Sequence, residues 1–334
     1  MKNPDESSFF SEHGCLTDSF GRIHDYLRIS VTQSCNFRCA YCIPNTNPCP
    51  PPAGNSMSAA EIYEISKTFC ALGIKKIRLT GGEPLLRKDF PELLDKLGAL
   101  PVQLAVTTNG VLMDRFIDCF LKANLLSVNV SLDSLKPERF FEITGENFFN
   151  KVLSNIHLLL HHGFHVKVNT VLMSNMNKDE ISDFIDLTLD YPVHVRFIEY
   201  MPFAGNNWDY WKVVGLNEIL ESIKRKYKVV KLDEPKNSTA KKFQVKGHKG
   251  TFAVISTVTK PFCSDCNRLR LTVDGKMRNC LFATMETDLL NALRQGKDIR
   301  PLIIAGLRDK KKERGGHTEM SALLNNRKMV EIGG

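Results

Sequence analysis

The chain has 334 residues, a formal net charge of +8, and a composition that is 43% hydrophobic and 25% charged. These values exclude a fibrous, collagen-like or wholly disordered protein and suit one large domain or two ordinary ones. Because the sequence has no apolar run long enough to span a membrane and no visible signal peptide, we expect a cytoplasmic protein without a membrane segment.

The first 20 residues are polar and predict a loose N-terminal arm. Residues 21–220 then alternate between strand-like and helix-like patterns. Strands are predicted at 26–32, 76–80, 102–108, 127–132, 166–172 and 193–200, with helices at 58–72, 88–97, 112–123, 147–162 and 178–189. Six strands separated by crossover-length segments predict an α/β fold with a parallel sheet in (β/α)6 order, either open or curled as part of a barrel.

The pattern changes over residues 221–334, with a boundary predicted between 215 and 235. A helix near 216–227 precedes short strands at 242–246, 251–257 and 269–273, and helices follow at 285–295 and 298–312. This pattern predicts a smaller α+β region. Residues 201–334 carry 26 basic and 14 acidic side chains, whereas residues 1–200 carry 19 and 23. The basic excess predicts either an anionic partner or a solvated basic face.

A first group of three cysteines, Cys35, Cys39 and Cys42, follows the first predicted strand of the core. Thiolates suit zinc and iron–sulfur clusters, but structural zinc usually takes four ligands in two pairs. Three thiolates on a four-iron cluster would leave one iron open to a small molecule. The spacing therefore favours a cluster.

A second group, Cys263, Cys266 and Cys280, has the spacing C-x2-C-x13-C. Zinc with a distant fourth ligand stays possible here, although a second open cluster fits better. Arg268 and Arg270 alternate on a strand beside these cysteines, so both side chains face one side. Paired guanidinium groups predict the binding of an anion such as phosphate.

These motifs resemble two known groups of proteins. C-x3-C-x2-C, with Tyr41 before its last cysteine and Gly81-Gly82-Glu83-Pro84 after the next strand, resembles the radical S-adenosylmethionine superfamily. The C-terminal pattern F-C-x2-C-N-R-L-R-L-T-x-D-G-K-x-R-x-C-L-F resembles the GTP 3′,8-cyclase (MoaA) family, as do D-x-F-G-R, T-T-N-G, V-K-V-N and the terminal Gly-Gly. The resemblance runs from about Asp18 to Gly334. Departures are Gln33-Ser34, where the family usually has Asp-Arg, and the Pro48–Pro52 loop.

The resemblance implies a partial (β/α)6 TIM-like barrel, two [4Fe-4S] clusters and S-adenosylmethionine. It implies that a 5′-deoxyadenosyl radical takes the 3′ hydrogen of GTP, giving (8S)-3′,8-cyclo-7,8-dihydroguanosine 5′-triphosphate, the first step of molybdenum cofactor biosynthesis. The six cysteines of the two groups would be the metal ligands. The motif positions for S-adenosylmethionine are Tyr41, Gly82, Ser131 and Met201. Those for GTP are Arg28, Arg78, Thr107, Lys167, Arg196, Arg268, Leu269 and Arg270, of which Arg28, Arg268 and Arg270 would be catalytic.

The resemblance also implies an electron donor of the flavodoxin or ferredoxin kind. The product would pass to a downstream cyclic pyranopterin monophosphate synthase, and a homodimer is possible. No nucleic acid and no membrane would take part. Two alternatives remain: a radical enzyme with an auxiliary cluster that acts on a peptide or RNA, and a zinc-ribbon protein that binds nucleic acid.

Overall fold

The computed structural model of the protein describes residues 15–42, 55–234 and 236–333. Residues 1–14 of the predicted N-terminal arm, the Pro48–Pro52 loop and Gly334 lie outside the described residues. None of the helices in the described part of the chain is long and apolar enough to cross a lipid bilayer.

Strands β1 (Leu16–Thr17) and β2 (Ile23–His24) form a small antiparallel hairpin. All other described strands join one twelve-stranded sheet. They are β3 (Tyr26–Ser30), β4 (Lys76–Thr80), β5 (Gln103–Thr108), β6 (Ser127–Ser131), β7 (His165–Leu172), β8 (His194–Glu199), β9 (Val229–Lys231), β10 (Lys241–Val245), β11 (Thr251–Ile255), β12 (Arg268–Leu271), β13 (Lys276–Arg278) and β14 (Thr287–Asp288). The predicted six-strand core, β3 to β8, is confirmed.

The sheet order is β14-β13-β12-β3-β4-β5-β6-β7-β8-β11-β10-β9. Strand β12 pairs in parallel with β3, and β11 pairs in parallel with β8, so the central eight strands are all parallel. The predicted C-terminal region therefore adds three strands to each side of the core, one parallel strand followed by two antiparallel ones, rather than forming a separate sheet. The division at residue 220 stays a prediction.

Helices follow most of the central strands. They are α1 (Ala59–Ala71), α2 (Phe90–Gly98), α3 (Ile117–Lys122), α4 (Pro137–Thr144), α5 (Phe149–His161), α6 (Ile181–Asp190), α7 (Leu216–Lys224), α8 (Leu289–Arg294), α9 (Arg300–Arg308) and α10 (Met329–Ile332). A capping box begins α1, since Glu61 N donates to Ser58 Oγ at 3.2 Å and Ser58 N donates to Glu61 Oε2 at 2.7 Å.

Alternation along the central strands separates the core from the interior of the barrel. On β3, Leu27 and Ile29 are fully buried in the main hydrophobic cluster, and Ile77 and Leu79 repeat this pattern on β4. Each such side chain stabilises the fold by about 1.5–3 kcal/mol relative to exposure. The residues between them point to the opposite face. The fold is a partial TIM-like barrel whose concave face is free to carry polar side chains.

Candidate active site

A first cavity of about 180 Å³ lies at the carboxyl ends of the core strands. Cys35, Cys39 and Cys42 line it. The four residues predicted for S-adenosylmethionine lie in the same wall: Tyr41, Gly82, Ser131 and Met201. They reach it because parallel strands present their carboxyl ends, and the loops that follow, at one edge of the sheet.

The Gly81-Gly82 turn packs against the segment that leads to Cys35. A Cβ atom at Gly81 would overlap the Thr32 carbonyl oxygen, and one at Gly82 would overlap the Ser34 carbonyl oxygen. Gly81 also has a positive φ of 149°. The close approach allows Gly82 N to donate to Thr32 O at 2.7 Å, and Glu83 N to Ser34 O at 2.7 Å. The two glycines thus fix the start of the cysteine loop.

Two buried carboxyl groups support this cavity. Glu83 accepts hydrogen bonds from Thr108 Oγ1 and Asn109 N at 2.8 and 2.6 Å, and burial raises its pKa to about 7. Asp133 accepts from Tyr41 Oη at 2.7 Å, and burial raises its pKa to about 6. Asp133 therefore holds Tyr41 in the cavity wall. It was not among the predicted site residues, although its place directly after β6 was a usable signal.

A second cavity of about 250 Å³ adjoins the first. Cys263, Cys266 and Cys280 line it, as do seven basic side chains and no Asp or Glu among the described residues. The basic residues are Arg28, Lys76, Arg78, Lys167, Arg196, Arg268 and Arg270. Six of these were predicted, and Lys76 was missed although it alternates with Arg78 on β4.

The structure places two of the predicted substrate residues elsewhere. Thr107 lines the first cavity, where its hydroxyl accepts from Arg78 Nη1 at 3.4 Å. The Leu269 side chain is fully buried in the hydrophobic core on the other face of β12. Only its backbone could contact a substrate.

Strand register brings the cations together. Arg270 on β12 pairs with Arg28 on β3, which pairs with Arg78 on β4, so three guanidinium groups share one row. Arg78 Nε donates to Tyr26 Oη at 2.6 Å. Burial would raise the pKa of Tyr26, but the charges of Arg78 and Arg28 outweigh it and lower the pKa to about 7.

Burial and mutual repulsion make the charged forms of the basic side chains in this cavity unfavourable when no anion is bound. Burial, followed by the repulsion of Arg196 and Arg78, lowers the pKa of Lys167 to about 7. Burial and neighbouring arginines likewise lower the pKa of Arg196 to about 9. Arg196 Nε is buried without a hydrogen-bond partner among the described residues. A polyanion would relieve both effects.

The two cavities share part of one wall, formed by Asn169, Ile198, Met201 and Met329. Met329 belongs to α10, and the chain after it lies against the carboxyl ends of β3 and β4. Gly333 has a φ of 73°, and a Cβ there would overlap Thr80 Oγ1. Arg270 Nη1 donates to the Gly333 carbonyl oxygen. The start of the predicted Gly-Gly tail thus lies at the junction of the cavities.

The two cysteine triplets lie in the walls of the two cavities, where their thiols could hold a metal group. No three His, Cys, Asp or Glu side chains in the described segments are arranged to hold one metal ion. Burial would raise the pKa of Cys266, but the charges of Lys310 and Arg268 lower it to about 6, which favours the thiolate that iron binds.

Comparisons with known proteins cover both halves of the chain. Residues 29–188 match the radical SAM superfamily, and residues 193–315 match the family Molybdenum Cofactor Synthesis C. The fold resembles the crystal structure of Streptococcus suis SuiB with a TM-score of 0.64 at 16% identity, covering 97% of this chain and 80% of that one. This likeness concerns the fold alone.

Other known proteins share a larger fraction of identical residues with this chain than SuiB does. "GTP 3′,8-cyclase, mitochondrial" from Arabidopsis thaliana is 40% identical over 96% of this chain and 83% of its own length. "GTP 3′,8-cyclase" from Alkaliphilus oremlandii is 37% identical over 96% of this chain and its whole length. "Molybdenum cofactor biosynthesis protein 1" from Homo sapiens is 40% identical over 97% of this chain, which spans only 53% of that relative.

The superfamily match implies a [4Fe-4S] cluster and S-adenosylmethionine, which confirms that part of the sequence prediction. The first cavity brings together a cysteine triplet and the four residues predicted for S-adenosylmethionine, which could hold these two groups. Because the chain is 40% and 37% identical to two GTP 3′,8-cyclases and covers 83% and 100% of their lengths, it belongs to the GTP 3′,8-cyclase family of the radical SAM superfamily.

Proposed function

We propose that this chain converts GTP to (8S)-3′,8-cyclo-7,8-dihydroguanosine 5′-triphosphate in the first step of molybdenum cofactor biosynthesis. The observation that carries the proposal is the second cavity, where the described lining residues include seven cations around a cysteine triplet and no carboxylate. A triphosphate is the kind of ligand that such a cavity requires, because guanidinium groups bind phosphate oxygens in pairs. The names of the relatives agree with this reading.

In the first cavity, Cys35, Cys39 and Cys42 would hold the cluster. When bound, the cluster and S-adenosylmethionine supply the 5′-deoxyadenosyl radical that takes the 3′ hydrogen of GTP. The chain's own contribution is to orient and to exclude water. Tyr41, fixed by Asp133, and the Gly82 backbone shape the wall, while Met201 lies where the two cavities meet.

In the second cavity, Arg28, Arg78, Lys167 and Arg196 would bind the triphosphate. Arg268 and Arg270 lie nearer the second cysteine group and would hold the nucleotide against it. We propose this as the catalytic role of these two arginines, together with Arg28, which also binds the triphosphate. Cys263, Cys266 and Cys280 would hold a second [4Fe-4S] cluster with one iron free for the purine. Phe262 and Phe282 also line this cavity and would keep water from it.

The remaining predictions stay proposals. They are a flavodoxin- or ferredoxin-like electron donor, product transfer to cyclic pyranopterin monophosphate synthase, a possible homodimer and a cytoplasmic location. One relative is named as mitochondrial, so the compartment needs its own measurement.

Anaerobic turnover with GTP, S-adenosylmethionine and dithionite tests the proposal. Mass spectrometry should find an isomer of GTP together with 5′-deoxyadenosine. Iron analysis of the same protein should find about eight irons per chain. ATP in place of GTP is the matched substrate control and should give no cyclised product. 5′-Deoxyadenosine without any change in GTP would instead favour a peptide or RNA substrate. Stoichiometric zinc without sulfide would favour the zinc-ribbon alternative.

A further inference from the structure

A buried lysine that is not among the seven cations of the second cavity contacts the second cysteine group. Lys310 follows α9, is 3% exposed, and places its Nζ 3.6 Å from Cys266 Sγ and 3.1 Å from the Arg268 carbonyl oxygen. In the described part of the chain, the negative groups that act on it are the thiols of Cys266 and Cys280 and, less strongly, Asp18, which is itself paired with Arg22 at 2.6 Å. A buried ammonium group is costly unless a negative group compensates it. Among these groups, the Cys266 sulfur is the one that accepts a hydrogen bond from Lys310 Nζ.

Arg22 fixes the position of this lysine. Its Nη1 donates to the Cys263 and Lys312 carbonyl oxygens, both at 2.8 Å, and its Nη2 donates to the Lys311 carbonyl oxygen at 2.9 Å. Asp18 Oδ2 accepts from Arg22 Nε at 2.6 Å. The D-x-F-G-R motif therefore ties the turn that carries Cys263 to the backbone that directly follows Lys310. These hydrogen bonds hold the two segments next to each other.

We propose that Lys310 is a positioning residue that donates to Cys266 Sγ and raises the reduction potential of the second cluster. The inference rests on the proposed function, which supplies that cluster. A cluster with three thiolate ligands carries a net negative charge, and one-electron reduction adds one more negative charge to it. A fixed ammonium group beside a ligand sulfur stabilises the reduced state more than the oxidised one. The electron comes from the reductant, and no covalent bond forms or breaks.

Three variants of the full chain separate charge from packing. Lys310→Met keeps the length of the side chain and removes its charge, Lys310→Arg keeps the charge, and Lys312→Met removes the charge of a nearby exposed lysine. The midpoint potential of the second cluster is measured by a dithionite titration monitored by electron paramagnetic resonance. Replacing Cys35, Cys39 and Cys42 by Ala in every variant leaves only the second cluster visible. Iron content and Tm are measured alongside.

We expect Lys310→Met to lower the ratio of reduced to oxidised cluster about tenfold at a fixed potential, which is a midpoint about 59 mV more negative. Lys310→Arg should stay near the parent value, and Lys312→Met should match it. An unchanged midpoint in Lys310→Met with full iron would overturn the proposal. If Lys310→Met loses iron or folds poorly, Lys310→Gln gives the same test. Absence of a second cluster from the unsubstituted protein would refute the proposed function instead.

Discussion

Replacing Lys167 by Met should stabilise the unliganded enzyme and weaken GTP binding at the same time. Lys167 lies on the concave face of β7, where its Nζ donates to Ser127 Oγ at 3.4 Å and faces the charges of Arg196 and Arg78. The methionine keeps much of the buried stem and removes the ammonium group. The charge is unfavourable for folding and favourable for binding a triphosphate, so the two properties should move in opposite directions.

The size of the stability effect follows from the pKa of Lys167, which falls from 10.5 to about 7. The folded state binds fewer protons than the unfolded state between these two values, so the penalty is complete below pH 7 and fades as the pH rises towards 10.5. At 1.36 kcal/mol per pKa unit the upper limit is about 5 kcal/mol. Allowing for lost packing, we expect a gain of about 2 kcal/mol at pH 6, and a smaller gain at pH 8.5.

The binding effect follows from the loss of one charge-assisted contact with phosphate. Such a contact contributes about 1.5–3 kcal/mol, which corresponds to a roughly ten- to hundredfold weaker Kd for GTP. Calorimetric Tm at pH 6 and 8.5 and titration calorimetry with GTP, both under anaerobic conditions, measure the two effects. Lys246→Met, at an exposed position, is the matched control and should change neither. A lower Tm at pH 6 together with unchanged GTP affinity would refute the reasoning.

Three further predictions concern pH, the tail and the cysteines. The KM for GTP, measured from pH 6.5 to 9, should rise above pH 7 because Lys167 loses its proton and Tyr26 becomes anionic. Lys167→Arg should flatten this pH profile. Deleting Gly333 and Gly334 should lower turnover about tenfold or more with unchanged iron content and Tm, since Arg270 loses the nearer of its two carbonyl acceptors; full activity would show that the tail is idle. Cys35→Ala should abolish 5′-deoxyadenosine formation, whereas Cys266→Ala should retain some uncoupled cleavage without cyclised product. Equal loss in both cysteine variants would contradict separate roles.

The sequence was sufficient for the parallel core because hydrophobic alternation is a local property. The predicted strand 76–80 coincides with β4, and 193–200 brackets β8 closely. Helix α4 was missed, although Pro137 begins it and Gly145 ends it with a φ of 71°, because its eight residues are too few to show a clear period. The two- and three-residue strands β9, β13 and β14 carry even less signal.

Site residues that belong to compact motifs were predictable from the sequence. Site residues that are brought together by contacts between distant parts of the chain were not. Cysteine spacing identified both triplets, and motif order identified six of the seven cations in the second cavity. No local pattern places Lys310 beside Cys266, because that contact requires the end of α9 to meet the turn before β12. The position of the Leu269 side chain in the hydrophobic core, away from the cavity, depends in the same way on how β12 pairs with β3.

The pairing of β12 with β3 has a consequence for how the chain reaches its folded state. At the start of this pairing, Asn267 Nδ2 donates to Asp25 across a separation of 242 residues. During synthesis, β3 therefore emerges long before the strand that covers its edge, and contacts over such distances form slowly. An uncovered strand edge can pair with other chains. We expect nascent chains that end before residue 268 to aggregate unless a chaperone covers β3, and the protection to become unnecessary once β12 has been made.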